Sequence, residues 1–130
     1  MAISHKNTLD IVYEELTYHV VATQSGGQEN NVSETIPDSS TDLEVTWEAD
    51  SSAMVSFFMV SDQDILVETN NGTTPDDSFS LLAGVPTYWS ASNVGVGNPI
   101  TTDVTTNIFV TNSSGSDATL IIKMLQDPTP

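Results

Sequence analysis

Short runs of alternating apolar and polar residues fill the chain from residue 16 onward. Leu43, Val45 and Trp47 alternate with polar residues, which is typical of a strand with one buried and one solvated face. Residues 54–60 are apolar on both faces and predict a central strand. Turn-forming residues, such as those at 70–72, separate the runs. The predicted strands cover residues 17–23, 32–36, 43–47, 54–60, 65–69, 79–81, 87–89, 107–111 and 118–125.

This pattern predicts an all-β fold. About eight or nine short antiparallel strands with turns between them, and no convincing helical period, indicate a single β-sandwich or jelly-roll-like domain over residues 16–125. Residues 126–130 are predicted to form a C-terminal tail, because prolines interrupt strand pairing. The length of 130 residues suits one domain.

The first 15 residues are predicted to form an N-terminal arm. They mix polar and apolar residues and end in Glu14-Glu15. The run at 11–13 is expected to add a strand or to dock on a neighbour, with a short helical turn as the alternative.

Charge is the most unusual feature of the composition. The chain has 18 acidic residues and two basic ones, Lys6 and Lys123, which gives a net charge of −16. Such a surface repels phosphate backbones and anionic membranes, so neither nucleic acid nor membrane is an expected partner. High salt relieves the self-repulsion, and a halophilic or marine setting would fit.

The residues that usually carry catalysis are sparse, and no enzyme is predicted. There is no cysteine, and His5 and His19 are the two histidines. A catalytic serine needs a histidine held by a carboxylate, and no G-x-S-x-G elbow occurs. Acidic pairs such as Glu14-Glu15 are expected on the surface of so acidic a chain.

Calcium is the one cofactor considered for this acidic chain, because it binds hard oxygen ligands such as carboxylates. Asp62 with Asp64, and Asp76 with Asp77, are weak candidates. Neither pair lies in an EF-hand pattern, and turn chemistry by aspartate explains both. The expectation is therefore no cofactor.

Tyr88 and Trp89 lie just before a loop that contains Gly, Asn and Pro. Exposed aromatic rings beside amides and carboxylates would suit a sugar ligand, whereas core packing is the usual fate of tryptophan in a sandwich. The two residues are a candidate ligand platform.

The second half of the chain contains a series of phrases that together resemble small virion proteins of tailed bacteriophages, including capsid decoration or cement proteins. The phrases extend over residues 79–125, and they are Leu82-Ala83-Gly84-Val85-Pro86-Thr87-Tyr88-Trp89, Asn98-Pro99, Asp103-Val104-Thr105, Val110-Thr111-Asn112-Ser113-Ser114-Gly115 and Ala118-Thr119-Leu120. The N-terminal half shows no matching motif, and a lack of basic residues is no hallmark of the group.

The resemblance implies a repeated, non-catalytic subunit on the surface of a phage head. Its partner would be the major capsid protein, its location the virion, and its own assembly a homo-oligomer, with a trimer as the first guess. The arm and one end of the sandwich would bind the shell and stabilise it. The apolar arm residues expected to contact the capsid are Ile3, Leu9, Ile11, Val12 and Tyr13.

Two other interpretations stay open at this point. One is a carbohydrate-binding or host-attachment β-sandwich module of a virion or extracellular protein, which needs Tyr88 or Trp89 exposed. The other is a halophilic extracellular domain with calcium in a loop.

Overall fold

A computed structural model describes residues 3–91 and 97–127 and contains eleven strands and no helix within them. The predicted all-β sandwich is confirmed. The strands are β1 (Ile3–Tyr13), β2 (Leu16–Gly26), β3 (Gln28–Glu29), β4 (Val32–Ile36), β5 (Leu43–Val45), β6 (Met54–Ser61), β7 (Ile65–Thr69), β8 (Ser78–Leu81), β9 (Thr87–Ser90), β10 (Ile108–Thr111) and β11 (Ala118–Gln126).

The body of the molecule is an eight-stranded jelly roll built from β4 to β11. One sheet has the order β4-β11-β6-β9, with β3 paired to the far end of β11, and the other has the order β5-β10-β7-β8. If β4 to β11 are counted as strands 1 to 8 of the body, the two sheets have the orders 1-8-3-6 and 2-7-4-5. Every pairing within them is antiparallel. This is the jelly-roll arrangement, in which two Greek keys divide eight strands between two sheets.

Aromatic side chains join the two sheets across the core. Phe57 of β6 lies 6.0 Å from Trp47, which follows β5, and 6.4 Å from Phe79 of β8, measured between ring centroids. The indole N–H of Trp47 donates to the backbone carbonyl of Asn30 at 3.1 Å, so its polar atom is satisfied inside the core. Along β6 and β11, alternate side chains point into the core and complete the inner face of this sheet. Met59 and Ile122 form one buried cross-strand pair there.

The outer face of the β11-β6 sheet is also buried at one point. A register shift at Leu125/Gln126 leaves Val55 as the extra residue of a bulge in β6. Ser56 and Leu125 pair with each other on the outer face, yet both are buried. A second element must therefore cover this part of the sheet, and it is the base of the β1-β2 hairpin.

The hairpin is the main departure from the predicted organisation. The arm expected over residues 1–15 is one strand of a two-stranded sheet, paired from Ile3↔Gly26 to Tyr13↔Leu16, and β2 had been assigned to the body. The two-residue turn at Glu14-Glu15 carries none of the Gly or Asn that usually marks a tight hairpin, although Glu14 adopts a φ of 53°. The strand count is eleven rather than eight or nine because β1 and β3 were not predicted.

The predicted tail begins later than expected. Gln126 still pairs with Gln28 at the end of β11, where this strand runs beside β3. Residues 128–130 of the tail lie outside the described residues.

Candidate binding site at the base of the hairpin

The hairpin has two different faces, because successive residues of a strand alternate between faces. The cross-strand pairs Leu9↔Val20, Ile11↔Tyr18 and Tyr13↔Leu16 belong to the face of His5, which we call the inner hairpin face. The pairs Thr8↔Val21 and Val12↔Thr17 belong to the outer hairpin face. The inner face is therefore a ladder of apolar positions and the outer face is mixed.

Apolar side chains are exposed on both faces away from the base. The exposed fractions are 59% for Leu16 and 58% for Tyr18 on the inner hairpin face, and 66% for Val12 and 47% for Val21 on the outer hairpin face. The body does not cover these side chains, so the distal hairpin projects into solvent. Eleven paired residues at about 3.4 Å each give the element a length of about 35 Å.

The base of the hairpin is fastened to the outer face of the β11-β6 sheet. His5 Nε2 lies 3.0 Å from Glu29 Oε1, and His5 Nδ1 lies 2.6 Å from Ser56 Oγ. Because a carboxylate can only accept, Nε2 is the donor to Glu29, and in the neutral ring Nδ1 accepts from the Ser56 hydroxyl. His5 thus ties β1 to β3 and β6 at once.

Gly26 allows this close approach on the other strand. A Cβ at this position would lie 2.8 Å from the carbonyl oxygen of Gln126 and 3.0 Å from Cγ of Leu125. Backbone and a buried side chain block it, so only glycine fits where β2 crosses the end of β11.

We expect Gly26→Ala to lower the free energy of unfolding by about 1 to 3 kcal/mol, because the added methyl forces the hairpin base away from β11. Urea unfolding followed by tryptophan fluorescence measures this. Gly97→Ala is the matched control, since a Cβ at Gly97 meets nothing within 4 Å and the change should be neutral or slightly stabilising. Equal effects of the two substitutions would contradict the tight contact at Gly26.

A cleft of about 470 Å³ opens between the hairpin base and the outer face of the same sheet. Both lysines of the chain line it. Lys6 comes from β1 and Lys123 from β11. The complete lining is Ser4, His5, Lys6, Glu29, Ser56, Phe58 and Lys123.

The cleft brings together both basic side chains of an otherwise acidic chain. Within the described residues, neither Lys6 nor Lys123 forms an ion pair with a carboxylate at 4.0 Å or less. Glu29 is the acidic residue of the lining, and hydrogen bonds from His5 and then Asn31 hold the pKa of its carboxyl below the ordinary value. Lys123 lowers this pKa further through its charge, so Glu29 remains ionised and engaged with its neighbours.

The opposite side of the sandwich has the reverse character. Glu44 and Glu68 flank Phe109 across the outer face of the β5-β10-β7-β8 sheet. Burial raises the pKa of Glu68, and the negative charge of nearby Asp42 raises it further. The charge of the molecule is therefore distributed unevenly between its two outer faces.

The predicted capsid-contact residues all lie on β1 but do not form one surface. Ile3 is at the base opposite Gly26, and Val12 is exposed near the tip on the outer hairpin face. Leu9, Ile11 and Tyr13, of which the structure describes only the backbone, occupy register positions on the inner hairpin face.

Tyr88 and Trp89 do not form one platform. As neighbours on β9 they face opposite sides of the sheet, and Trp89 packs against the core. Tyr88 is 37% exposed and pairs across the strands with Phe58, on the side of the cleft. The sugar-binding interpretation therefore rests on Tyr88 alone.

The four candidate calcium ligands accept hydrogen bonds that hold loops in place. Asp62 accepts from the backbone N–H of Thr119, and Asp64 accepts from that of Ala83, both at 2.8 Å. Asp76 accepts from the side-chain amide of Asn70 at 2.7 Å. Asp77 accepts from the N–H and hydroxyl of Thr101 at 2.9 and 2.6 Å. In the part of the chain that the structure describes, no group of three or more His, Asp or Glu side chains is gathered as a metal site.

Sequence reasoning missed the cleft altogether. Lys6 and Lys123 come from opposite ends of the chain, and nothing local links them. The signal that could have singled them out is their rarity, because the chain has only two basic residues against 18 acidic ones.

Comparison with known proteins identifies no family for this chain. A scan against protein-family models found no match, and neither did a search of curated proteins or a search of solved structures. The described residues also contain no helix that is long and apolar enough to cross a membrane.

Proposed function

We propose that the protein is a non-catalytic structural subunit of a bacteriophage particle, a capsid decoration protein that attaches to the outer surface of the head and stabilises the shell. The observation that carries the proposal is the hairpin, which projects from a jelly-roll body and exposes Val12, Leu16, Tyr18 and Val21 to solvent. The sequence phrases of the second half support it through their resemblance to virion proteins.

The attachment follows from ordinary interface physics. Exposed apolar side chains are candidates for contact with a partner, and the outer hairpin face offers Val12 and Val21 for that contact, on either side of the Asp10–His19 pair. The free edges of the hairpin supply backbone N–H and C=O groups that a strand of the shell can pair with. The partner in this proposal is the major capsid protein, and a copy that bridges two capsomers gains avidity because its second contact is intramolecular.

The body is suited to remain on the outside of the particle. Its acidic outer face, with Glu44 and Glu68, repels further acidic surfaces and stays in solvent. The virion surface is thus the proposed location.

Phage particles produced with the coding sequence deleted provide the test. Purified protein added to such particles should co-sediment with heads to saturation and raise the temperature at which the heads release DNA. Val12→Asp with Val21→Asp should weaken binding at least about tenfold, since charges replace two exposed valines that the proposed contact would bury.

Leu82→Asp is the matched control, because Leu82 is as exposed as Leu16 but lies on the body, after β8. It should bind like the unmodified chain. No binding to heads, or binding to tails alone, would refute the decoration role.

A further inference from the structure

The edge of β1 that faces away from β2 is long and regular. β1 pairs with β2 without a register shift from Ile3↔Gly26 to Tyr13↔Leu16, and no other strand of the described chain pairs with it. The strand contains no proline. Natural proteins usually shorten, bend or cover such an edge, because it is a template to which another strand can add. The edge of β1 is therefore a surface suited to a further strand.

The backbone groups directed at this edge belong to the even-numbered residues of β1. A two-residue turn makes Tyr13 and Leu16 a hydrogen-bonded pair, and such pairs alternate with non-hydrogen-bonded pairs along an antiparallel ladder. The odd-numbered residues thus direct their N–H and C=O groups to β2, and the even-numbered residues direct theirs outward. The outward residues, which are all exposed, are Ser4, Lys6, Thr8, Asp10 and Val12.

Two of the outward residues carry opposite charge on the same face. Lys6 and Asp10 both lie on the outer hairpin face, with Thr8 midway between them. Lys6 has no carboxylate within 4.0 Å among the described residues, and Asp10 contacts the exposed His19. Residues 17–25 of β2, by contrast, contain no lysine, arginine, aspartate or glutamate. The edge of β1, unlike that of β2, is complementary in charge to a second copy of itself that runs antiparallel.

One antiparallel register combines full overlap with matched charges. With Thr8 opposite Thr8 of a second copy, every position of β1 is paired, and Lys6 of each copy lies opposite Asp10 of the other. A slide by two residues shortens the overlap and places both charges opposite uncharged residues. A slide by four residues places Lys6 opposite Lys6 or Asp10 opposite Asp10, which is destabilising. A slide by one residue separates the outward backbone groups of the two strands.

The cleft at the base of the hairpin leaves room for the added strand. Ser4, His5 and Lys6 line it in succession, so it opens along the edge of β1, and Phe58 and Lys123 of the sheet line its other side. Positions 8, 10 and 12 are exposed, so the rest of this edge is in solvent.

We propose that the protein forms a two-fold dimer in which β1 of one copy pairs antiparallel with β1 of the other. The two hairpins then form one four-stranded sheet, with the axis at Thr8 and a Lys6–Asp10 pair on either side of it. A two-stranded hairpin is at best marginally stable in water, and the added strands stabilise it. The edge of β2 and the outer hairpin face, with Val12 and Val21, remain available to a shell. The dimer stands independently of the proposed attachment, and its test needs no particle.

Exchanging the two charges tests the register. Sedimentation equilibrium should show a dimer for the unmodified chain, and Lys6→Glu and Asp10→Lys should each weaken it at least about tenfold, because like charges then face each other at both symmetric contacts. Asp10→Lys also reduces the net negative charge, so overall repulsion cannot explain its weaker association. The double variant Lys6→Glu with Asp10→Lys should restore the dimer, since its charges are again complementary and its net charge is unchanged.

A proline at the centre of the edge tests the strand pairing without any change of charge. Thr8→Pro removes an outward N–H and places a ring against the second copy, so this variant should be monomeric. Thr23→Pro is the matched control, because Thr23 is also exposed and directs its N–H to the free edge of β2. It should dimerise like the unmodified chain. Circular dichroism and thermal unfolding establish that each variant keeps its fold.

A cysteine on the two-fold axis tests the geometry directly, since the chain has no cysteine of its own. Opposite residues of a hydrogen-bonded pair have Cα atoms about 5.5 Å apart, which suits a disulfide. Thr8→Cys should therefore crosslink two copies under mild oxidation, and Thr23→Cys should not. A monomeric or trimeric unmodified chain, a double charge variant that stays monomeric, or a folded Thr8→Pro variant that dimerises as Thr23→Pro does would each overturn the proposal.

Discussion

Replacing Phe57 with alanine is expected to lower the free energy of unfolding by about 3 to 5 kcal/mol. Phe57 is 1% exposed and lies between Trp47 and Phe79, so its ring links β6 to the opposite side of the core. Its removal loses the burial of the ring and leaves a cavity that rigid strands on both sides cannot close. Urea unfolding monitored by Trp47 and Trp89 fluorescence gives the value.

Phe109→Ala is the matched control for this prediction. Phe109 is half-buried on the outer face of the other sheet, between Glu44 and Glu68, and its removal opens no internal cavity. We expect a cost of about 1 kcal/mol, in keeping with partial burial. If the two substitutions cost the same, Phe57 does not hold the sheets together as the ring contacts indicate.

Asn112→Ala is expected to destabilise the fold by about 3 kcal/mol, even though it removes no hydrophobic surface. The side chain is fully buried after β10, and its amide donates to the carbonyls of Ile36 at 2.9 Å and Ser116 at 2.8 Å. Its oxygen accepts from the N–H and the hydroxyl of Ser114 at 3.1 and 2.7 Å. Alanine would leave the carbonyl of Ile36 buried without this donor, which costs more than an ordinary lost hydrogen bond.

The exposed Asn71 provides the comparison for Asn112. Its side chain accepts from the backbone of Thr73 and Thr74 at 2.7 and 3.2 Å, in a turn where water can replace it. Asn71→Ala should therefore cost about 1 kcal/mol or less. An effect of Asn112→Ala no larger than this would show that the turn after β10 rearranges freely.

The strands of the body could be predicted because alternation of apolar and polar residues is a local property. Each of the nine predicted runs overlaps a strand of the structure, including the two-sided β6. The division of these strands between two sheets could not be predicted, since the sequence does not distinguish one apolar strand from another as a partner of β11, and only the three-dimensional packing selects β3, β4 and β6.

The hairpin and the cleft could not be predicted, because neither has a local signal in the sequence. A turn made of two glutamates lacks the Gly or Asn that marks a hairpin in a sequence, so the sequence predicts an arm over residues 1–15 in place of a paired strand. The cleft depends on the docking of that hairpin, which brings Lys6 next to Lys123. Tyr88 and Trp89, by contrast, could have been separated from sequence, because adjacent strand residues face opposite sides.

The acidic residues of this protein fall into two groups with different consequences for redesign. Many aspartates hold backbone N–H groups of distant loops: Asp103 accepts from Ser51 at 2.9 Å and Asp38 accepts from Gly115 at 3.1 Å. The side chains of Glu34 and Glu48 accept no such bond among the described residues. A variant with a less acidic surface, made for crystallisation or display, should therefore exchange Glu34 and Glu48 for lysine or glutamine and spare the aspartates, because the aspartates fix the loops of the jelly roll in place.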